Sequence, residues 1–352
     1  MKYPAVLTFD DILPTLHEFD AIIDARSESE FALDHLPGAI NCPVLDDAQR
    51  ILVGTTYKQV NAFEAKKIGA PLVAHNIARH IETLWMDKPR DWKPLVYCWR
   101  GGNRSGSLVH ILAKIGWPVI QLDGGYKAYR AHVSLALETP PVLDWRVICG
   151  TTGSGKSRLL ETLEGIGAQV LDLEQLAAHR GSVLGNLPSE PQPSQKMFES
   201  RIWSKLRSFD PARPVFVESE SKKVGNLRVP DAVMVAMRAS PCISLTLSRP
   251  NRVRLLTQDY SHFVADPSSL NAQLEHLVLL HGRAKIAAWH EMANSGRMAE
   301  LVDELLVEHY DPAYVKSIDR NFAQFKDARV VELGDIGESD FLGAARALHS
   351  AQ

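Results

Sequence analysis

The stretch "YCWRGGNRSGSL" (97–108) places Cys98 at the head of a loop that holds Arg100, Gly101, Gly102 and Arg104. The two glycines let backbone N–H groups turn inward. The guanidiniums attract negative charge, and a helix opening near Ser105 would add its own N-terminal donors. An anionic sulfur suits such surroundings, and the same cradle would stabilise the terminal atom of an S–S⁻ or S–Se⁻ group. These residues predict a sulfur or selenium carrier at Cys98, with Arg100 and Arg104 holding the anion.

A second loop has a different use. "GTTGSGKS", running Gly150, Thr151, Thr152, Gly153, Ser154, Gly155, Lys156, Ser157, fits G-x-x-x-x-G-K-S. It follows an apolar strand and opens a helix that carries Leu159, Leu160 and Leu163, the context such a phosphate loop requires. The backbone of 151–156 would donate to phosphate oxygens, Lys156 would reach the terminal phosphates, and Ser157 would face a Mg²⁺ ion. An acidic partner is expected after another apolar strand. "PVFVESES" offers Glu218 or Glu220 for metal or water contact, where P-loop NTPases normally carry Asp. Nucleotide hydrolysis does not follow, because the loop cradles any diphosphate, a prenyl diphosphate included.

These loops need strands to end where they begin. "AIID" and "PLVY" read as compact strands, "SESEF" as a helical turn with Ser27 as N-cap and Glu30 three residues on, and "SGSLVHILAKIGW" as a helix stopped by Gly116. Strand, loop, helix and strand in that order predict a parallel α/β sheet with ligand loops at the carboxyl ends of its strands. An insert at 46–93 contains "APLVAHNIARHIETLW", read as one amphipathic helix with Leu72, Val73, Ile77, Ile81, Leu84 and Trp85 on its buried face. Pro140 and Pro141 mark a linker over 139–144, so the expected domains are 1–138 and 145–352. The second should be a P-loop α/β domain that becomes helical from Leu270 onward.

A chain of 352 residues suits two cores. Hydrophobic residues at 45% and charged residues at 23% are those of a globular protein rather than a disordered one. No apolar run is long enough to cross a membrane, the N-terminus lacks a signal-peptide pattern, and the expected location is the cytoplasm. Cys42, Cys98, Cys149 and Cys242 lack metal-type spacing and are expected as free thiols. The formal net charge of −3 gives no support for nucleic-acid binding, and no DNA partner is expected. Local charge differs: Lys196, Arg201, Lys205, Arg207, Arg213, Lys222, Lys223 and Arg228 outnumber the four acidic residues in 196–228, and Arg249, Arg252 and Arg254 follow. Such a cluster is a candidate phosphate-contact surface.

"DARSESEFALDHLPGAIN" (24–41), the Cys98 loop and "LDGGYKAYR" (122–130) resemble the successive signatures of a rhodanese domain. That resemblance assigns Asp24 and His35 to holding the loop region. With "VGTTYKQ" (53–59), "GTTGSGKS", "VFVESES" and "HYDPAY" (309–314), the resemblance extends over nearly the whole chain to the tRNA 2-selenouridine synthase family. It implies a transferase acting on the wobble uridine of tRNA. The 2-thiouridine sulfur would be alkylated by geranyl diphosphate, and the S-geranyl group then replaced by selenium from selenophosphate. The anion cradle at Cys98 adds the expectation that this cysteine takes up the selenium as a perselenide. The tRNA would be held by the basic residues above, with Trp99 as the aromatic on which a splayed base stacks. The competing expectation is a P-loop ATPase or kinase with a rhodanese redox or sulfur sensor domain.

Overall fold

Short apolar runs broken by polar turns become the strands of two wholly parallel sheets. The computed structural model describes residues 4–100, 102–182, 185 and 190–350; Gly101 lies outside the described residues. The chain divides into two units, Met1–Ala136 with Glu199–Arg201, and Leu137–Phe198 with Ile202–Gln352. Among the described residues, no helix is long and apolar enough to cross a membrane.

The first unit holds β1 (Ala5–Leu7), β2 (Ala21–Asp24), β3 (Ala39–Asn41), β4 (Pro94–Tyr97) and β5 (Ile120–Leu122), in the order β1-β5-β4-β2-β3. All four residues of β4 are buried, as a parallel strand covered on both faces requires. The chain reverses direction across the sheet between β2 and β4. Their carboxyl ends are therefore the switch point where ligand loops collect, and Cys98 follows β4 directly. The helix Glu28–Leu33 opens with Glu30 accepting from the Ser27 N–H, and the helix Asn103–Ile115 ends at Gly116, which has φ +115°.

The insert differs from its sequence expectation. It forms two helices, Asp47–Gln59 and Ala62–His80, the second enclosing Pro71 and running into a π turn at Ile81–Trp85. Ile77 and Trp85 enter the core, but Leu84 is exposed. A π turn adds a residue to the repeat and shifts the helical phase, which carries Leu84 off the face that its spacing predicts.

The second unit holds β6 (Trp145–Cys149), β7 (Gln169–Leu171), β8 (Val215–Glu218), a small antiparallel pair β9 (Lys223–Val224) and β10 (Leu227–Arg228), β11 (Cys242–Leu247) and β12 (Arg329–Leu333). Its main sheet has the order β12-β11-β6-β8-β7 and is parallel throughout. The phosphate loop follows β6, at the switch point of this sheet. The helix after it buries Leu159, Leu160 and Leu163 against Phe341, Ala345 and Leu348 of the helix Glu338–His349. The part expected to be helical from Leu270 onward thus returns to the sheet as β12. Helices already begin at Arg249.

Candidate active sites

The cysteine loop is tied down by backbone bonds. Tyr126 N–H donates to the Cys98 carbonyl at 2.8 Å and Lys127 N–H to that of Trp99 at 3.1 Å. The Cys98 thiol is buried, with 3% of the residue exposed, and accepts from Ser105 Oγ at 3.1 Å. Gln121 Nε2 donates to the same hydroxyl at 3.0 Å and fixes its oxygen, whose proton the sulfur shares with the Gly102 carbonyl at 3.3 Å. Cys42 is a different thiol, pushed up to about 12 by burial and by the charge of Asp24.

The two arginines of the loop part company. Arg100 is exposed, whereas Arg104 donates to both Glu30 oxygens at 2.5 and 3.1 Å. Burial pushes Glu30 up, but the hydrogen bond and charge of Arg104 outweigh it and hold the carboxyl below its usual range. Half the positive charge expected around the thiol is therefore spent on an internal pair. Trp99 lies on Tyr126, with ring centroids 5.3 Å apart and planes 28° from parallel, so one face is already covered. Behind the loop, Arg26 Nη2 reaches Asp24 at 2.6 Å and the Asp34 carbonyl at 2.6 Å, and its guanidinium sits 4.0 Å from the Tyr126 ring centroid. His35 stacks on Phe31 and bonds its carbonyl. Asp24 and His35 hold the fold, and neither bonds to the thiol.

In the phosphate loop, Gly150 and Gly155 admit no other residue. A Cβ at Gly150 would strike the Ser154 hydroxyl and the Leu245 carbonyl, and one at Gly155, where φ is +91°, would lie 2.7 Å from the Phe341 ring. Lys156 Nζ donates to the Gly150 carbonyl at 2.7 Å, while the Gly150 N–H donates to Tyr314 Oη at 2.5 Å. Ser157 Oγ donates to Glu174 Oε2 at 3.1 Å. Thr152, Gly153, Lys156, Glu174, Arg180 and Glu220 line one cavity of about 220 Å³.

Carboxyl groups crowd this cavity. Glu218 is buried beside it and accepts from the N–H groups of Leu173 and Glu174 at 2.9 and 3.0 Å, so it pins the short helix Leu173–Leu176 rather than facing a ligand. Of the two expected acidic candidates only Glu220 lines the cavity, and Glu174, which the sequence did not single out, joins it. Burial and the neighbouring Glu220 push Glu174 up to about 8, against the pull of Lys156. Among the described residues no three His, Cys, Asp or Glu side chains are placed to hold an ion together. Ser157 and Glu174 still offer hard oxygens, a fit for Mg²⁺, which keeps few protein ligands and takes the rest from phosphate and water.

A second, smaller cavity of about 50 Å³ adjoins the first. Thr152, Ser182, Leu256 and Tyr260 line both, and beyond them the lining turns apolar, with Phe263, Leu270, Met298, Leu301, Leu305 and Leu306. Among the described residues no charged side chain lines it. Of the helices that build it, Met298–Leu305 lies in the part read as helical from Leu270 onward and Pro267–Leu274 straddles its start, whereas Arg249–Asp259 and Ser261–Ala265 precede it. Its single legible trace was "HYDPAY", whose Tyr310 lines the slot, whose Asp311 pairs with Arg252 and whose Tyr314 bonds the phosphate loop.

The basic candidates divide in the same way. Arg252 is a correction. Only 6% exposed, it spends its guanidinium on Asp311 at 2.6 and 3.0 Å and on the Thr152 carbonyl at 2.9 Å, so it braces the phosphate loop and faces no external phosphate. Lys205 pairs with Glu164 at 2.6 Å, Lys222 with Asp231 at 2.8 Å, Arg249 with Asp303 at 2.9 Å and Arg254 with Asp335 at 2.9 Å. Arg207 lies 5.9 Å from the Trp203 ring centroid. Lys196 and Lys223 are exposed and Arg201 is half-buried.

Comparisons with known proteins match both halves. Residues 10–132 fit the rhodanese-like domain and residues 143–276 the tRNA 2-selenouridine synthase AAA domain. A tRNA 2-selenouridine synthase from Nitrosomonas europaea is 37% identical over 71% of this chain and 66% of its own length, so the match spans just under two thirds of that relative. The one from Shewanella denitrificans is 31% identical over 89% of this chain and 91% of its own. That from Cupriavidus necator is 31% identical over 94% and 95%. With a rhodanese-like sheet carrying Cys98, a phosphate loop carrying Lys156 and full-length relatives at this identity, the chain belongs to the tRNA 2-selenouridine synthase family.

Proposed function

We propose that this protein is a transferase that converts the wobble 2-thiouridine of tRNA to 2-selenouridine in two steps, by way of an S-geranyl intermediate. In the first, C1 of geranyl diphosphate bonds to sulfur while its C–O bond breaks and the diphosphate leaves with the electron pair. The N3 proton of the base is released, and C2=S becomes C2=N3. Lys156 and the N–H groups of the loop hold the departing diphosphate. Mg²⁺ on Ser157 and Glu174 would add positive charge there.

The observation that carries this reading is the apolar slot that shares Thr152, Ser182, Leu256 and Tyr260 with the phosphate cavity. The uncharged, mostly aliphatic lining suits a hydrocarbon chain in chemistry, although the cavity of about 50 Å³ would have to widen to take ten carbons, whereas a nucleotide would need polar partners for its ribose and base. In the second step the selenium of selenophosphate adds at C2, geranyl thiolate leaves with the electron pair and takes a proton, and hydrolysis of the Se–P bond releases phosphate. Alkylation has made that departure easy. We assign this step to Cys98 and its loop, with Arg100 as the exposed cation. Selenium enters and remains at the selenide level, so the exchange itself is redox-neutral. A Cys98 perselenide would require two-electron oxidation of selenium and later reduction, and is not part of the proposal.

The test is mass spectrometry of the wobble nucleoside after incubating the protein with 2-thiouridine tRNA and geranyl diphosphate, followed by selenophosphate, all without ATP. A geranyl adduct that gives way to 2-selenouridine is the expected result. An unchanged nucleoside together with phosphate release from ATP would instead identify a P-loop ATPase with a rhodanese sensor.

A further inference from the structure

Of the arginines near the phosphate loop, one has no assigned use. Arg158 pairs with Asp259 at 2.6 Å, and Arg252 spends its guanidinium on Asp311 and the Thr152 carbonyl. Arg180 lines the phosphate cavity, is half-buried, and pairs with no carboxylate among the described residues. Its guanidinium lies 5.0 Å from the centroid of the Tyr260 ring, a cation held against an aromatic face. Tyr260 and Ser182 line both cavities, so this guanidinium stands beside their junction. The turn that carries it has an uncommon shape. Ala178 has φ +48°, the one non-glycine residue with positive φ among the described residues, and Gly181 has φ +64°. A Cβ at Gly181 would run into Glu174 Oε1 and Glu220 Oε1. Backbone so constrained persists where its surroundings over-determine it, and here it flanks His179 and Arg180 on both sides.

We propose that Arg180 holds a bound diphosphate together with Lys156, on the phosphate that carries the organic group. Charge calls for a second cation. A diphosphate brings several negative charges, and the Lys156 ammonium already shares the cavity with Glu174 and Glu220. A planar guanidinium meets two phosphate oxygens at once, and one seated on a ring has less freedom left to lose. The junction selects the phosphate, because an organic group directed at the apolar lining leaves its own phosphate nearest Tyr260 and Arg180. When the C–O bond of a prenyl donor breaks, the electron pair lands on an oxygen of that phosphate. Arg180 therefore binds the transition state more tightly than the bound donor. The inference rests on the prenyl-transfer reading above for the donor, whereas a diphosphate is common to prenyl and nucleotide sources, which the test separates.

The experiment compares the wild-type chain with Arg180→Ala, Arg180→Gln and Arg180→Lys. Calorimetry with inorganic diphosphate should show an affinity lower by about tenfold or more in Arg180→Ala. Geranyl transfer to 2-thiouridine tRNA should slow by about 10²-fold, in kcat more than in KM. Arg180→Lys keeps the charge and should recover part of that loss, and guanidinium chloride at non-denaturing concentration should restore part of the rate to Arg180→Ala. Selenium exchange on tRNA that already carries the S-geranyl group needs no diphosphate and should run at the wild-type rate. Arg180→Gln keeps most of the stem and covers the case in which Arg180→Ala fails to fold. Wild-type diphosphate affinity and geranyl rate in a folded Arg180→Ala or Arg180→Gln, with transfer intact in the wild type, would overturn the inference alone. A wild type that transfers no geranyl group but hydrolyses ATP would overturn the prenyl-transfer reading. Arg180 then keeps its diphosphate only if its loss slows that hydrolysis by a similar factor, and an unchanged rate removes it.

Discussion

Tyr314 Oη accepts the backbone N–H of Gly150 at 2.5 Å, joining the first residue of the phosphate loop to one 164 positions later. The other side of the same glycine accepts from Lys156 Nζ, so the peptide groups on either side of Gly150 are both held by side chains. Burial pushes the Tyr314 hydroxyl above its usual range, so it stays protonated, and the nearby Ser219 hydroxyl lies 3.4 Å away. Tyr314→Phe removes the acceptor and leaves the buried Gly150 N–H unpaired. The expected cost is about 1–2 kcal/mol, within the range for an unsatisfied buried donor, read as a lower urea midpoint at unchanged slope.

Lys156 now bonds its own loop, 5.7 Å from the Tyr314 ring centroid, and must leave the Gly150 carbonyl to meet a phosphate. Exchanging a neutral acceptor for an anion is favourable, because charge-assisted bonds are about twice as strong. Lys156→Met keeps the aliphatic stem and loses the charge. Geranyl transfer should slow by about 10²–10³-fold, the usual loss when one donor to a developing anion is removed. The thermal midpoint should barely move. A variant that transfers geranyl at the wild-type rate would remove Lys156 from the mechanism.

Both loops were legible in the sequence because each is local: a strand, then glycines, then a helix start. Ser27, Glu30 and Gly116 were equally readable as caps. What escaped depends on chain that returns from far away. Glu174 reaches the phosphate loop through the fold with nothing within a few residues to signal it, and Tyr314 was visible only as the end of the "HYDPAY" motif, with no sign of the loop it would touch. β12 was missed because its residues are mostly exposed and lack a continuous apolar run. Arg252 misled for the opposite reason, since a cluster of arginines reads as surface charge until Asp311 is seen to bury one of them. Leu84 failed on helical phase, which a π turn alters without any sequence mark.

Ser105 is the donor to the Cys98 thiol, and Gln121 holds its hydroxyl in place. Ser105→Ala removes one hydrogen bond that positions the Cys98 thiol in the loop assigned to the selenium step, worth about 1–1.5 kcal/mol and hence about fivefold to tenfold in rate. The selenium step should slow by that factor while geranyl transfer is unaltered. Cys98→Ala should abolish the selenium step and also spare geranyl transfer. Time courses of both products by mass spectrometry separate these outcomes, and equal loss of both steps in either variant would count against assigning Cys98 to selenium alone.

His80 gives the first unit a pH dependence. The ring is buried at the end of the helix Ala62–His80, its Nε2 is 2.9 Å from the Pro43 carbonyl, and its centroid is 6.0 Å from that of Trp85. Burial lowers its pKa below 6.5, helped by the charge of Arg79 and opposed by the Pro43 bond and the charge of Glu28. The unfolded chain therefore takes up a proton at a pH where the folded chain still refuses it. Stability from this group is fully present above about pH 6.5 and is lost as pH falls from there toward the lower folded value. Between pH 7.5 and 5.5 the urea midpoint of the wild type should fall further than that of His80→Gln, which carries no titrating ring but keeps an N–H able to reach Pro43. Equal slopes for the two proteins would show that protonation of His80 costs the fold nothing.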